Sequence, residues 1–324
     1  MKRFRWIGFL VPGALICVPV LADLQRGLSL SSDGLERTYD LFVPQTTGKE
    51  PLPLVLMVHG YYGDADVMTG KNGRPAPYKV WLRLAERDRF LVAIPNGEKG
   101  PDHRRGWNDC RADAAGNPST DDVAFTLSLL DRIAERYAVD RQRVYAVGTS
   151  NGGSMVQRLA LETPERFAAV ASAVSAMPKI NQCRTSCMPI PILYMNGTED
   201  PLLPYAGGQV GKDSARRGQT ASTRDSIAYW VEVNRANRLP ERHEFPDRTR
   251  WDRSTVVRER YARIPGGADV VLYEVRGGGH TEPSPNERYG FLYQLIVGNQ
   301  NQDIEMAEEI WAFFKGKRRG GLSP

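Results

Sequence analysis

Five short apolar runs, bounded by Gly, Pro or Asn, recur along the chain and constrain its fold more than any other feature. Several are rich in Val and Ile, and their length suits strands buried on both faces of a sheet. The runs span residues 54–58, 90–94, 144–147, 190–195 and 270–275. An earlier segment, 37–43, alternates between polar and apolar residues and predicts a further strand of the edge type.

Helical patterns lie between these runs. The clearest spans residues 121–137, where apolar residues recur three or four positions apart behind a capping-box pattern. Further helices are predicted at 154–161, 223–233 and 303–314. The irregular segments 207–218 and 238–253 are predicted to be loops within one domain. Buried strands alternating with amphipathic helices predict an α/β fold, with a mostly parallel sheet and helices on both faces.

The composition is that of an ordinary globular protein. Of 324 residues, 41% are apolar and 25% are charged, which argues against long disordered, collagen-like or coiled-coil segments. Lys and Arg total 43 against 38 Asp and Glu, but Lys2, Arg3 and Arg5 lie in a segment that we predict is removed. The remaining 40 basic and 38 acidic residues give a net charge of +2. Overall charge therefore predicts neither nucleic acid nor an anionic membrane as a partner.

Residues 1–22 have the pattern of an export signal. A basic start precedes an apolar run, 6–21, and Ala22 is a small residue suited to cleavage by signal peptidase. The alternative is a transmembrane anchor, which needs about 20 apolar residues. This run is shorter and is interrupted by Pro and Gly. We therefore predict a protein that begins near Asp23, is secreted or periplasmic, and has no membrane anchor after processing.

Cleavage would leave three cysteines: Cys110, Cys183 and Cys187. An exported chain can keep disulfides, and three cysteines allow one bridge and one thiol. The spacing is compatible with any of the three pairings. No His pair has the spacing of zinc ligands and the three thiols match no usual zinc repeat, so we expect no metal site.

The sequence Gly-Thr-Ser-Asn-Gly at 148–152 fits the GxSxG pattern, with Ser150 at its centre. It follows the predicted strand 144–147 and opens the predicted helix beyond it. A sharp strand-to-helix turn exposes the Ser hydroxyl and leaves no room for side chains at Gly148 and Gly152. A Gly-rich loop that merely turns is the alternative, but this context favours Ser150 as a nucleophile.

A nucleophilic Ser needs a base, and in this architecture the acid and the base follow it in the chain. His280 comes directly after the predicted strand 270–275, whereas His243 lies among charged residues with no strand before it, so we assign the base to His280. Asp200 follows the predicted strand 190–195 and is assigned as the acid, with its neighbour Glu199 as the alternative. The carboxyl ends of parallel strands lie at one edge of the sheet, where such sites form.

The oxyanion hole uses backbone N–H groups, so loops rather than side chains predict it. One donor is the residue after the nucleophile, Asn151. The other is predicted in the loop 59–63 after an early strand, at the N–H of Tyr61. His59 precedes the nucleophile in the chain, and we predict that it shapes this loop rather than acting in catalysis.

These residues resemble a known family, the α/β-hydrolase esterases grouped as polyhydroxybutyrate depolymerase-like and feruloyl-esterase-like proteins. The resemblance runs from about residue 37 to about residue 315. The motifs that carry it are HGYYGDA (59–65), GWND (106–109), the stretch 121–153, NGTEDPLLPYAGG (196–208) and GGGHTEP (277–283). It implies the same Ser, Asp and His.

The resemblance also implies substrate contacts. Trp107 and Asn108 are expected near the acyl pocket, and Tyr205 on the rim of the site after the acid. Glu282 stands where the family often has Trp, which adds a negative charge near the pocket. The Cys pair that the family often has before the last strand is absent, since 237–266 contains no Cys.

The sequence as a whole predicts an exported serine carboxylesterase, with a signal peptide at 1–22 and a single α/β-hydrolase catalytic domain at 23–324. The chemistry requires no metal and no organic cofactor. No surface-binding domain follows the last predicted helix, so soluble hydroxyalkanoate oligomers, or feruloyl and acetyl esters of polysaccharides, are favoured over solid polymer. The alternatives are a non-catalytic ligand-binding protein and a serine peptidase on the same fold.

Overall fold

Ten of the strands form one large sheet, and helices pack around it. The computed structural model describes residues 23–45, 50–71, 73, 75–211 and 217–320. The strands of the large sheet are β1 (Asp23–Ser32), β2 (Leu35–Val43), β3 (Leu52–Val58), β4 (Leu91–Pro95), β7 (Val139–Thr149), β8 (Ala169–Ala173), β9 (Ile192–Gly197), β12 (Glu241–Glu244), β13 (Thr255–Tyr261) and β14 (Val270–Arg276). Two small two-stranded sheets pair β5 (Glu98–Lys99) with β6 (Arg105–Gly106) and β10 (Gly208–Gln209) with β11 (Gln219–Thr220).

The helices lie mostly between the strands. They are α1 (Ala65–Thr69), α2 (Val80–Asp88), α3 (Asp122–Arg136), α4 (Asn151–Glu162), α5 (Thr223–Val233), α6 (Phe291–Val297) and α7 (Met306–Phe314). Short 3₁₀ helices occur at Pro77–Lys79, Pro164–Arg166 and Arg250–Asp252. Helix α3 begins where Asp121 accepts a hydrogen bond from the N–H of Ala124, so its N-cap is Asp121 and not Ser119, the first residue of the predicted capping box at 119–122.

The centre of the sheet is parallel. Its strand order is β1-β2-β4-β3-β7-β8-β9-β14-β13-β12. The six strands from β4 to β14 pair in parallel, and an antiparallel pair extends the sheet at each end. The carboxyl ends of β7, β9 and β14 therefore meet at the same edge of the sheet.

Each face of the sheet has its own core. Along β7, Val144 and Ala146 belong to the core that also contains α3, α4 and α5, whereas Tyr145 and Val147 belong to the core on the other face. This alternation follows from the two-residue period of a strand. In the second core, the ring of Tyr145 stacks on Phe314 of α7 at 4.9 Å. Both faces are covered, so the predicted fold class is confirmed.

Four details of the sheets differ from the sequence prediction. Strand β10 lies within the segment 207–218, which the sequence predicts to be a loop. Strand β2 is not at the edge, because β1 pairs along its outer side. Strand β8 was not predicted; its sequence, Ala-Val-Ala-Ser-Ala, is poor in the residues that favour strands. The segment 238–253 is not all loop, since β12 lies within it as an exposed edge strand made of charged residues and His.

A disulfide joins Cys110 to Cys183, across 73 residues of sequence. It ties the loop after β6 to the segment after β8. The N–H of Gln182 also donates to the carbonyl of Cys110, at 3.0 Å. Cys187 is exposed and forms no disulfide within the described part of the chain. Of the three pairings that the sequence spacing allows, the structure therefore has Cys110 with Cys183, and Cys187 is the remaining thiol.

Candidate active site

Ser150 lies in a sharp turn between the end of β7 and the start of α4. Its backbone has φ 54° and ψ −121°, a conformation that costs a non-Gly residue about 1–3 kcal/mol. A Cβ on Gly152 would lie 2.4 Å from the carbonyl oxygen of Val58, and one on Gly148 would lie 2.3 Å from that of Gly152. Both positions therefore require Gly, and the strand–turn–helix geometry predicted around Ser150 is present.

Asp200 and His280 meet beyond the ends of β9 and β14. The Nδ1 atom of His280 lies 2.7 Å from Oδ2 of Asp200. The other oxygen of Asp200 accepts hydrogen bonds from the N–H groups of Leu202 and Leu203, each at 2.8 Å, which hold the carboxylate in place. Since β9 and β14 are neighbouring parallel strands, the sheet itself brings these two side chains together.

The two alternatives considered from the sequence lie elsewhere. Glu199 is exposed and its N–H donates to the carbonyl of Gly278, whereas the hydrogen bond to the imidazole is made by Asp200. His243 is exposed on β12, at the edge of the sheet. The geometry therefore places Asp200 and His280 together, and neither Glu199 nor His243 takes their place.

Ser150 and His280 line one cavity of about 830 Å³. The rest of its wall comes mainly from the loop after β3, from α1, from the 3₁₀ helix at Pro77–Lys79 and from the segment between His280 and α6. Burial alone would lower the pKa of His280, but the Asp200 carboxylate and, less strongly, Glu282 more than offset it and raise that pKa above its ordinary value. The nearby carboxylates therefore favour the charged imidazolium.

Two backbone N–H groups are available beside Ser150. In the loop after β3, the N–H of Tyr62 donates to Arg105 and that of Gly63 to Gly60. Within the described residues, the N–H of Tyr61 has no acceptor. Asn151 is the first residue of α4, so its N–H also lacks an intrahelical acceptor and lies at the positive end of the helix dipole.

His59 is buried and supports the Tyr61 loop. Its Nδ1 lies 2.7 Å from the carbonyl oxygen of Gly60, and its Nε2 accepts the N–H of Gly97 at 2.9 Å. This pattern requires a neutral ring with the proton on Nδ1. Burial lowers the pKa of His59 to about 4, in agreement with that state. The structure thus shows His59 shaping the loop, in the position that the sequence analysis expects.

Three residues that the resemblance places at the substrate lie outside the cavity wall. Trp107 is buried, its ring lies 4.9 Å from that of His59 and its indole N–H donates to the His59 carbonyl. Asn108 donates to the carbonyl of Thr120. Tyr205 donates to Glu274 at 2.8 Å. None of the three is among the described residues that line the cavity, and their expected place near the acyl pocket and on the rim of the site stays a prediction.

Glu282 does line the cavity, and its side chain is buried. One carboxylate oxygen accepts a hydrogen bond from the Tyr289 hydroxyl at 2.6 Å, and the other accepts one from the Thr149 hydroxyl. Burial and the Glu282 charge raise the pKa of Tyr289 well above its ordinary range, so this phenol stays protonated and donates. Sequence analysis identified Glu282 but missed its partner Tyr289, seven residues further along in a segment with no strand or motif.

A second polar group lies in the same corner of the cavity. The hydroxyl of Tyr78 is buried and lies beside the Thr149 side chain, which also donates to Glu282. Together with Glu282 and Tyr289 it forms a small polar corner in a wall that is otherwise rich in aromatic and apolar side chains. The described residues contain no group of three or more His, Cys, Asp or Glu arranged to hold a metal ion. No helix in the same part of the chain is long and apolar enough to cross a bilayer.

A mostly parallel sheet, a Ser in a strand–turn–helix turn, and an Asp–His pair on later strands define the α/β-hydrolase fold. A family model described as "Esterase PHB depolymerase" matches residues 37–191. The protein "Putative esterase NocK" of Nocardia uniformis subsp. tsuyamanensis is 30% identical over 277 residues, which cover 82% of this chain and 75% of that protein. The chain belongs to the esterase PHB depolymerase family.

Two further matches are less similar to this chain, one by sequence and one by structure. "Feruloyl esterase B" of Piromyces equi is 26% identical over 257 residues, which cover 78% of this chain but 44% of that protein. This chain therefore spans less than half the length of that relative. A solved structure of native sOPH matches with a TM-score of 0.50 and 20% identity, covering 67% of this chain and 79% of that one. That likeness supports the fold alone.

Proposed function

We propose that the protein is a serine carboxylesterase in which Ser150 is the nucleophile, His280 the base and Asp200 the residue that orients the base. The observation that carries the proposal is the 2.7 Å contact between His280 and Asp200 beside a cavity that Ser150 also lines. Membership of an esterase family supports ester hydrolysis. The positive φ of Ser150 supports its part in the reaction, because strained backbone clusters at functional sites.

The reaction runs in two halves. Ser150 Oγ attacks the ester carbonyl carbon while His280 takes the hydroxyl proton, and the charge that forms on the carbonyl oxygen faces the N–H groups of Tyr61 and Asn151. His280 then gives the proton to the leaving alcohol as the carbon–oxygen bond breaks, which leaves an acyl-enzyme. Water, deprotonated by the same imidazole, releases the acid and restores Ser150. Every step uses groups of this chain.

The cavity supports neutral carboxylic esters as substrates. Most of its lining is aromatic and apolar, which favours uncharged groups. The buried charge of Glu282 disfavours an acidic substrate group in its own corner, while Arg217 and Asp66 also line the cavity. Esters of feruloyl or acetyl groups, and hydroxyalkanoate oligomers, remain the proposed classes. The name of the family model supports hydroxyalkanoate esters, and that of the feruloyl esterase relative supports feruloyl esters.

We also propose that the protein is exported. The support is the export-signal pattern in the sequence of residues 1–22, which lie outside the described residues. Strand β1 begins directly after them, at Asp23. Amino-terminal sequencing of the protein from an exporting host should give a first residue at or near Asp23. Retention of Met1 in a membrane fraction would contradict this proposal without touching the catalytic one.

A serine-directed fluorophosphonate tests the catalytic proposal. The reagent should label the wild-type protein at Ser150, as located by peptide mass spectrometry, and should not label Ser150→Ala. Ser154 provides a matched control, because its buried hydroxyl bonds to Ser175 and Ser154→Ala should still be labelled. A folded wild-type protein that is not labelled would favour a non-catalytic binding protein. Cleavage of peptides but not of esters would favour a peptidase.

A further inference from the structure

A single Arg side chain brings positive charge into the active-site cavity. Among the described residues that line the cavity, Arg217 is the only Lys or Arg, and the same lining includes Ser150 and His280. The guanidinium of Arg217 lies over the ring of Tyr61, 3.8 Å from the ring centroid. Tyr61 carries one of the two backbone N–H groups proposed to face the carbonyl oxygen of the ester. The positive charge of Arg217 therefore lies beside the loop where the proposed reaction takes place.

A buried ion pair fixes the backbone of Arg217. One guanidinium nitrogen of Arg111 donates to the Arg217 carbonyl at 2.6 Å, and another pairs with Asp109, also at 2.6 Å. Arg111 and Asp109 are both buried. Asp109 also accepts a hydrogen bond from the side-chain amide of Asn151 at 2.7 Å. One buried network thus holds both the backbone of Arg217 and the residue that follows the proposed nucleophile.

The residue after Arg217 is held just as closely. Gly218 has φ 69°, and a Cβ there would lie 2.4 Å from a carboxylate oxygen of Asp113, so both the backbone conformation and the space require Gly. The Gly218 carbonyl accepts the N–H of Val210 at 3.0 Å and the side-chain amide of Gln209 at 2.7 Å. Arg217 is therefore presented to the cavity from a well-anchored backbone.

The charge of Arg217 is not balanced by an acid within the described part of the chain. No Asp or Glu there forms an ion pair with its guanidinium, and the nearby Asp102 accepts a hydrogen bond from the Tyr61 hydroxyl. Burial lowers the pKa of Arg217, and the Arg111 charge adds to this effect, whereas Tyr61 and Asp102 oppose it. A half-buried cation of this kind favours an incoming anion.

The geometry and the charges suit one planar, singly charged anion. A guanidinium stacked on an aromatic ring presents the N–H groups of its edge, and these match the two oxygens of a carboxylate. The cavity lining also includes the carboxylates of Glu282 and Asp66, but Asp66 is paired with Arg26 and Lys71 on the surface. The charge of Glu282 would repel a doubly charged group more strongly than a singly charged one. A carboxylate therefore fits the site better than a phosphate.

We propose that Arg217 is a specificity-determining residue that binds a carboxylate carried by the ester substrate. This inference rests on the proposed esterase function and deepens it, because it adds one charged end to the mainly neutral ester that the cavity lining favours. Esters of hydroxy acids and half-esters of dicarboxylic acids carry such a group. The carboxylate belongs either to the acyl half or to the alcohol half of the ester, and the two halves can be tested separately.

Two pairs of soluble esters form the two arms of the experiment. Monomethyl glutarate is compared with methyl hexanoate, so that the carboxylate is in the acyl half. O-butyrylglycolate is compared with isobutyl butyrate, so that the carboxylate is in the alcohol half. Acid release is followed in a pH-stat, and each arm reports the ratio of kcat/KM for the anionic ester to kcat/KM for its neutral partner.

Arg104 provides a matched control for Arg217. Its guanidinium lies 3.8 Å from the centroid of the Tyr62 ring, the same distance as Arg217 from Tyr61, but Arg104 is exposed and is not among the residues that line the cavity. Arg104→Gln and Arg217→Gln therefore remove the same charge from neighbouring stacked pairs. Arg217→Lys keeps the charge and removes the two-pronged geometry. Circular dichroism and thermal unfolding check that each variant is folded.

We expect Arg217→Gln to lower the ratio on the order of tenfold in at least one arm, because a charge-assisted hydrogen bond to the carboxylate is lost. Arg217→Lys should retain part of the preference. Arg104→Gln should change the ratio less than about twofold, because only screened attraction between separated charges is lost. The arm that responds identifies the half of the ester that carries the carboxylate.

Three results would overturn the proposal. The first is an unchanged ratio for Arg217→Gln in both arms. The second is an equal fall for Arg217→Gln and Arg104→Gln, which would indicate a general attraction of anions to the positive charge around the cavity. The third is an equal loss of kcat/KM on anionic and neutral esters for Arg217→Gln, which would limit Arg217 to supporting the Tyr61 loop.

Failure of the esterase proposal gives a different result. Binding of monomethyl glutarate and O-butyrylglycolate to Ser150→Ala, with and without Arg217→Gln, is measured by isothermal titration calorimetry and needs no turnover. A protein that binds either compound through Arg217, while the wild type hydrolyses none of the four esters, would keep the carboxylate site and reject the catalytic function. A wild type that hydrolyses the neutral esters, with no effect of Arg217→Gln on either ratio or on binding, would reject the carboxylate site and keep the catalytic function.

Discussion

The two walls of the cavity are built differently. The wall that carries Ser150, Asp200 and His280 is held by backbone contacts at strand ends, where Gly152 and its neighbours leave no space for side chains. The adjoining wall, from Glu282 to α6, combines a buried carboxylate, which accepts a hydrogen bond from Thr149 beside Ser150, with exposed apolar side chains. The first wall supports the proposed reaction, and the second supports the choice of substrate. Changes in the first should therefore abolish turnover, while changes in the second should alter which ester is hydrolysed.

The largest effect is expected at Ser150. Ser150→Ala removes one hydroxyl and should lower kcat by about 10⁴ to 10⁶ without unfolding the protein. Steady-state kinetics on p-nitrophenyl acetate, with circular dichroism as a check on folding, measures it. A folded Ser150→Ala variant with near-normal turnover would show that Ser150 is not the nucleophile.

Asp200 should rank second. Asp200→Asn keeps the shape of the side chain but removes the charge that orients His280, and a loss of about 10⁴ in kcat is expected. Glu199→Gln is the matched control, since Glu199 is exposed and its side chain is not at the imidazole. The reverse ranking of the two variants in kcat would assign the acid to Glu199.

A change in the second wall should be smaller and selective. Like-charge repulsion at partly solvated range is worth about 1 kcal/mol, or roughly fivefold in rate. Glu282→Gln should therefore raise kcat/KM for esters with an acidic acyl group by several-fold relative to neutral esters of similar size. Because Glu282 is buried, added salt should reduce this gain only in part. An unchanged ratio of the two rates would show that the second wall does not select by charge.

The smallest effect is expected in the pH profile. His280 must be neutral to accept a proton, and its pKa is raised, so activity should be lost as pH falls through a value above the ordinary pKa of His. Burial opposes this shift, whereas Asp200 and then Glu282 produce it. Glu282→Gln removes one of the two anions and should move the acid limb of kcat/KM to lower pH.

Tyr289→Phe is the control for that shift. It removes a hydrogen bond to Glu282 but leaves the carboxylate in place, so the acid limb should not move to lower pH. If Glu282→Gln leaves the limb where it is, the two walls are not electrostatically coupled.

The strand pattern could be read from the sequence because buried parallel strands are continuous apolar runs. β3, β7 and β14 lie where such runs occur. β8 could not be read, since its Ala and Ser residues carry little strand preference, and its place is decided by pairing with β7 and β9. Helix α4 begins at Asn151, three residues before the predicted start at 154, because the turn at Ser150 leads directly into it.

The Ser–Asp–His choice was also accessible to sequence reasoning, whereas the fine structure of the cavity was not. Each of Ser150, Asp200 and His280 follows a strand, and the sheet places those strand ends together. The direction of the Glu282 side chain depends on Thr149 and Tyr289, which belong to different segments. Trp107 is buried, and its two N–H groups donate to the Asn151 side chain at the start of α4 and to the His59 carbonyl, segments that are distant in the chain.

The sequence by itself determined the fold class, the strand ends and the candidate triad, because periodicity and Gly positions record the local backbone conformation. Only the tertiary structure decided that Cys110 pairs with Cys183, that Glu282 faces the cavity, and that α6 exposes its apolar residues at the cavity mouth. These features depend on distances between segments far apart in the chain. Such distances follow from how helices and loops pack on the sheet, which no local pattern of residues encodes.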